Sequence, residues 1–164
     1  MITEPTIVHR AEQPYLAIPG VVTMQTIGQI ADRLPELYGW LGEHGIEPTG
    51  APFFKYNVID MEQRLDMEVG FPVAVAVAGE GEVVAGVLPA GRYASVHHVG
   101  HPDELVTVTG ALLDWAAERG LRGDATETEE GDEWGCRLEV YNNNPADEPD
   151  MTKWETDLYF RLAD

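Results

Sequence analysis

One pattern, met near the middle of the chain and again at its end, narrows the folds open to it. The stretch "DMEVGFPV" (residues 66–73) aligns with "ETDLYFRL" (155–162), acid over acid and apolar over apolar. Side chains in both alternate at a period of two, the mark of a strand with two unlike faces. Leu65, Met67, Val69, Phe71 and Val73 share one face in the first, with Asp66 and Glu68 on the other. Trp154, Thr156, Leu158, Phe160 and Leu162 alternate with Glu155, Asp157, Tyr159 and Arg161 in the second.

These strands close a longer order that the chain runs through twice. "QPYLAI" predicts a strand, and "MQTIGQIADRLPELYGWLGEHG" an amphipathic helix. Its apolar positions Ile27, Ile30, Leu34, Leu37 and Leu41 recur every three or four residues. Pro35 marks a kink or a new first turn, and Gly45 closes the helix. "FFKYNVI" and "RLDMEVGFPVAVAV" follow as strands joined by the polar turn "DMEQ". The second passage repeats the sequence of elements. "GRYASVHHVG" is a strand, and "PDELVTVTGALLDWAAERG" a helix with acids in its first turn and a stop at Gly120. Leu105, Val108, Leu112, Trp115 and Ala116 form its apolar stripe, and "WGCRLEVYN" and "KWETDLYFRL" are the closing strands.

Each half thus reads strand, helix, strand, strand, which predicts an internal duplication within one domain. Repeat one covers about 5–80 and repeat two about 81–164. The crossing "GEGEVVAGVLPAG" is rich in turn formers, and "ETEEGDE" and "ADEPDM" read as acidic loops. The expected class is α+β: two pseudo-symmetric repeats forming an antiparallel sheet, two helices on one face and a ligand cleft on the other.

Charge and cysteine content exclude several function classes. A net charge of −19 on 164 residues repels a nucleic-acid backbone or an anionic membrane and favours cationic partners. The single cysteine, Cys136, rules out an internal disulfide and a multi-cysteine zinc site. The N-terminal stretch has no signal-peptide pattern, and the longest apolar run, "FPVAVAVAG", is too short to span a bilayer. A soluble, cytoplasmic protein is expected, as a monomer or a homodimer joined through edge strands.

The chemistry-bearing stretch is "CRLEVYNNNP" (136–145). Alternation is expected to turn Leu138 and Val140 towards the helices, leaving Glu139 and Tyr141 on the open face. Tyr56, Tyr93, Trp134, Tyr141 and Trp154 are the candidate walls around that carboxylate. A carboxylate among aromatic rings suits a lipophilic cation through charge and cation–π attraction. Partial burial would raise its pKa, as a general acid or base requires. "HHVGHPDE" holds His97, His98, His101 and Asp103. On a strand His97 and His98 point to opposite faces, which speaks against one shared metal ion, while His97 shares a face with Tyr93 and Ser95 and is expected in the cleft. Ser95 is the only serine, and neither a nucleophile elbow nor a phosphate-binding glycine loop is present.

The run "GEVVAGVLPAGRYASVHHVGHPDEL", the strand and turn "CRLEVYNNNP", and the terminal "WETDLYFRL" together resemble the GyrI-like small-molecule-binding domain family. This is the effector-binding domain of AraC-type and MerR-type multidrug regulators, and it also occurs alone. The resemblance implies two strand–helix–strand–strand repeats around a central cleft; no cofactor is expected. Glu139 matches the family's cleft glutamate, which in drug-sensing members contacts lipophilic cations. Some standalone members resemble hydrolases of cyclopropane-bearing genotoxins; that activity would make Glu139 the base and Tyr56 or Tyr141 its partner. Others act on a protein, DNA gyrase. The partner expected here is a small aromatic or cationic molecule, or a protein, and not nucleic acid directly, since a basic recognition helix is absent; with no helix-turn-helix ahead of the domain, a one-component regulator is not expected. Two departures stand out. Gly100-His101-Pro102-Asp103 replaces the common Gly-Pro-Tyr-Asp, and Asn57 in the first repeat stands where the second has Glu139.

Overall fold

The computed structural model describes residues 4–60, 64–143 and 148–163. Strands β1 (Thr6–Arg10) and β2 (Gln13–Val22) lead to a short helix α1 (Gly28–Ala31) and a longer α2 (Leu34–Glu43). Then come β3 (Phe53–Asp60), β4 (Arg64–Pro72) and β5 (Val84–Leu88). The second half opens with β6 (Gly91–Val99) and passes through a 3-10 turn at Pro102–Glu104 into α3 (Leu105–Glu118). A hairpin of β7 (Ala125–Thr128) and β8 (Gly131–Trp134) precedes β9 (Arg137–Tyr141) and β10 (Glu155–Arg161).

All pairings in this one sheet are antiparallel, in the order β1-β6-β10-β9-β3-β4-β2-β5, with β8 also on β3. The α+β class read from the sequence is what the chain adopts. Pro35 sits in the first turn of α2, where its missing N–H costs nothing, so it starts a helix and separates α1 from α2. Gly45 (φ +67°) and Gly120 (φ +71°) take the left-handed conformation that ends α2 and α3.

Short connections curl the sheet. β1 and β2 lie towards opposite ends of the strand order, as do β5 and β6, yet only two residues separate each pair. Leu88 on β5 and Tyr93 on β6 consequently pack in one cluster with Tyr15, Phe53, Cys136 and Leu138, filling the inside of the curl. The outer face carries the helices. Leu37 and Leu41 of α2 pack on Leu16, Ile18, Leu65 and Val69. Leu105, Val108 and Leu112 of α3 pack on Ala94, Val96, Leu158 and Phe160.

Burial on both faces corrects one expectation. Residues directly opposite on neighbouring antiparallel strands point the same way. Glu139 lies opposite Phe54 on β3 and Leu158 on β10, both of which pack in the helix-side clusters. Glu139 and Tyr141 therefore face the helices, and Leu138 and Val140 face the interior of the curl. The cleft opens between the helices, not on the face away from them. Three elements go beyond the sequence expectation: β1, β5 and the β7–β8 hairpin, the last in the stretch that reads as an acidic loop. The expected turn residues Met61, Glu62, Gln63, Asn144 and Pro145 lie outside the described residues.

Candidate functional site

The centre of the sheet is the seam between β3 and β9, with registers Phe53–Val140, Phe54–Glu139 and Lys55–Leu138. Above it a cleft of about 520 Å³ runs between the start of α3 and the approach to α1. That volume suits a small organic ligand. Met24, Ile27 and Leu65 line one wall, and Pro102, Leu105 and Val106 the other. Phe54, Tyr56, Arg137, Glu139 and Tyr141 line the floor, and Ile59, Asp103 and Thr109 complete the lining.

Strand geometry sets the floor. Arg137, Glu139 and Tyr141 are alternate residues of β9, so all three rise on the same face. The β3 backbone shifts register between Tyr56 and Val58, a bulge next to the site. The Tyr56 hydroxyl donates to Glu139 Oε1 at 2.8 Å, and the Tyr141 hydroxyl donates to the same oxygen at 2.6 Å. Glu139 Oε2 accepts no hydrogen bond from the described residues, so half the carboxylate is left for what enters the cleft.

Burial pushes the Glu139 carboxyl above its ordinary value, against the two tyrosine hydrogen bonds and the Arg137 charge, which pull it down. The same burial raises both tyrosine hydroxyls, and the Glu139 charge adds to this, so both remain protonated donors. The Arg137 guanidinium is packed among rings, 4.4 Å from the Phe160 centroid, 5.2 Å from Trp134 and 5.8 Å from Tyr56.

The structure brings together Glu139, Tyr141 and Tyr56 from the sequence-derived candidates, and it scatters the others. Trp134 packs behind Arg137 and does not line the cleft. Tyr93 points into the curl, its hydroxyl donating to the Pro89 carbonyl at 2.6 Å. His97 is on that same side of β6, its Nδ1 2.6 Å from Asp157 Oδ1, so it does not reach the cleft either. Both are expected beside Glu139, yet they share the face of Leu138 and Val140, which turns into the curl. Trp154 lies before β10 and donates its Nε1 to the Glu148 carbonyl at 2.7 Å. Asn57 also turns away, donating to Glu68 Oε2 at 2.7 Å. Arg137 was missed, although its place two residues before Glu139 put it on the same strand face. The start of α3 was missed too, because strand alternation does not say which face of the sheet carries the helices. Among the described residues, no group of three His, Cys, Asp or Glu side chains is placed to hold a metal ion.

A larger hollow of about 730 Å³ lies between α2 and the segment after β4, lined by Tyr38, Leu41, Ile46, Val73, Val75 and Val77 among others. It has no counterpart to the carboxylate with two tyrosine donors, so the cleft over β9 is the candidate site.

The family description GyrI-like small molecule binding domain matches residues 3–163, and the chain belongs to this family. No curated protein matches it in sequence. Among solved structures it is similar to the C-terminal domain of EcmrR, at 18% identity and TM-score 0.78, covering 98% of this chain and 97% of that one. Against EcmrR in its DNA complex the TM-score is again 0.78 at 18% identity, with 97% of this chain covered but only 57% of that one; the chain spans little more than half of that protein's length. SAV2435 bound to tetraphenylphosphonium is similar at 11% identity and TM-score 0.63, covering 98% of this chain and 94% of that one. A hydrolase from Listeria innocua is similar at 14% identity and TM-score 0.65, covering 98% and 92%. At these identities the likeness is one of fold. No helix among the described residues is long and apolar enough to cross a membrane.

Proposed function

We propose that the protein binds small aromatic or lipophilic cationic molecules in the cleft above β3 and β9, with Glu139 supplying the charge that draws them. One observation carries this reading. A carboxylate at the cleft floor has one oxygen fixed by two tyrosine hydroxyls and the other left open. The tyrosines hold the group in place, so a ligand need not order it. Burial makes its charge costly in the empty cleft, and a cation beside Oε2 relieves that cost. The rings of Phe54, Tyr56 and Tyr141 and the aliphatic walls suit a planar apolar body. The complex of SAV2435 with tetraphenylphosphonium, on a similar fold, supports the same chemistry.

The test is a fluorescence-anisotropy titration with rhodamine B ethyl ester, a planar lipophilic cation, on wild type and Thr109→Trp. Thr109 lines the cleft from α3, and an indole there takes up part of the space a planar ligand needs. Saturable micromolar binding that the tryptophan weakens supports the reading; equal binding to both proteins places the dye elsewhere and contradicts it.

A second reading rests on the raised Glu139 pKa. A carboxylate poised above its ordinary value beside protonated tyrosines suits a general base that activates water against a strained electrophile. The hydrolase from Listeria innocua shares the fold. This reading requires turnover, with a pH profile that follows Glu139, where the binding reading requires none.

A further inference from the structure

Arg137 is a cation already resident in the cleft. Its guanidinium occupies a cage formed by Phe160, Trp134 and Tyr56, the kind of ring cluster that could otherwise hold a ligand's cation. It feels Glu139 and Asp132 as charges and donates no hydrogen bond to any described residue. A guanidinium has five N–H donors in a rigid fork. Cation–π contact satisfies none of them, and the side chain lines the cleft. The acceptor for that fork must come from what fills the cleft: water when it is empty, a ligand oxygen when it is occupied.

This changes what a good ligand looks like. A plain cation at Glu139 Oε2 meets like-charge repulsion from Arg137 a short way along the same strand face. A plain anion at Arg137 meets Glu139 and the field of a chain with net charge −19. A molecule carrying both charges escapes both penalties and joins the two residues through itself. We propose that Arg137 makes the cleft selective for dipolar ligands, in which a carboxylate or another anionic oxygen sits beside a cationic aromatic body. The inference rests on the binding reading above and adds a ligand class to it.

Rhodamine B and its ethyl ester share the cationic ring system and differ in the carboxylate, so they isolate the contribution of Arg137. Both are titrated at pH 8 by anisotropy on wild type, Arg137→Met and Arg137→Lys. A charge-assisted fork contact predicts that wild type favours rhodamine B over the ester by about tenfold or more. In Arg137→Met the ratio falls to one or below, with the ester bound as well as before or better. If methionine in the ring cage prevents folding, Arg137→Lys decides the matter, since it keeps the charge, loses the fork and lowers the ratio. Binding of both dyes with a ratio that neither substitution moves overturns the inference and leaves the binding reading standing. Failure of wild type to bind either dye overturns the binding reading and this inference with it.

Discussion

Glu139 stands directly across the central seam from Phe54, so the carboxylate on the sheet floor sits where the two halves of the chain meet. Helices pack on the sheet to either side of this line, α1 and α2 over one half and α3 over the other. The cleft is the gap they leave. Its polar floor comes from one strand of each half, Tyr56 from β3 and Arg137, Glu139 and Tyr141 from β9.

Cation binding should depend on pH through Glu139. Its carboxyl is held above the ordinary value of 4.5 chiefly by burial. Affinity for rhodamine B ethyl ester should be level at high pH and fall as Glu139 takes up its proton. The midpoint should lie above 4.5. A titration of affinity against pH checks this; a midpoint at or below the ordinary value would show that the charged form is not disfavoured in the cleft.

The same shift makes a statement about stability. An acid whose folded pKa is raised binds more protons folded than unfolded, so stability falls as pH rises through the window from the unfolded to the folded value. The cost is absent below that window and fully present above it. Glu139→Gln keeps an oxygen for the two tyrosine hydroxyls and removes the cost. Its melting temperature at pH 7 should equal or exceed that of wild type, with the gap closing below about pH 4, near the unperturbed glutamate value. Thermal melts at the two pH values measure it.

Leu158 tests the packing under the site. It is fully buried beneath α3, directly opposite Glu139. Leu158→Ala should cost about 3 kcal/mol through lost burial and the cavity left behind. For a chain of this size that is roughly a 6–12 °C drop in Tm. A loss near zero would mean that α3 does not hold the sheet as described.

Two adjacent histidines should respond to pH in opposite senses. A hydrogen bond to Asp157 raises His97 above 6.5, so its stabilisation is present below that value and lost as pH rises through its higher folded pKa. His97→Ala should therefore lower Tm more at pH 6 than at pH 9. Burial lowers His98, which means the unfolded chain is protonated first as pH falls below 6.5, and stability drops on the acid side. His98→Gln should soften the loss of Tm between pH 7 and pH 5. Equal pH profiles for both variants and wild type would contradict these environments.

Much of this architecture was legible because its strands have two chemically distinct faces. The apolar row of β4 and the stripe of α3 pack as their periods predict, and Pro35 starts a helix as its fixed φ allows. The sense of β9 was not legible. Alternation separates Glu139 from Leu138 but does not say which of two buried faces receives the helices, and the curl buries both. Edge strands β1 and β5 pair on one side only and carry exposed apolar residues such as Ile7 and Val87, so their pattern is blurred. Arg137 was readable in principle, since a strand that offers Glu139 and Tyr141 to one face must offer Arg137 to it as well.

The most direct test of the account is the binding isotherm of rhodamine B ethyl ester on wild type and on Glu139→Gln, at a pH where the wild-type carboxylate is ionised. The account predicts micromolar binding to wild type and a loss of about tenfold or more in the variant, because the cation loses its buried counter-charge while the tyrosines keep their acceptor. Equal affinity for the two proteins would contradict it and remove Glu139 from the binding site.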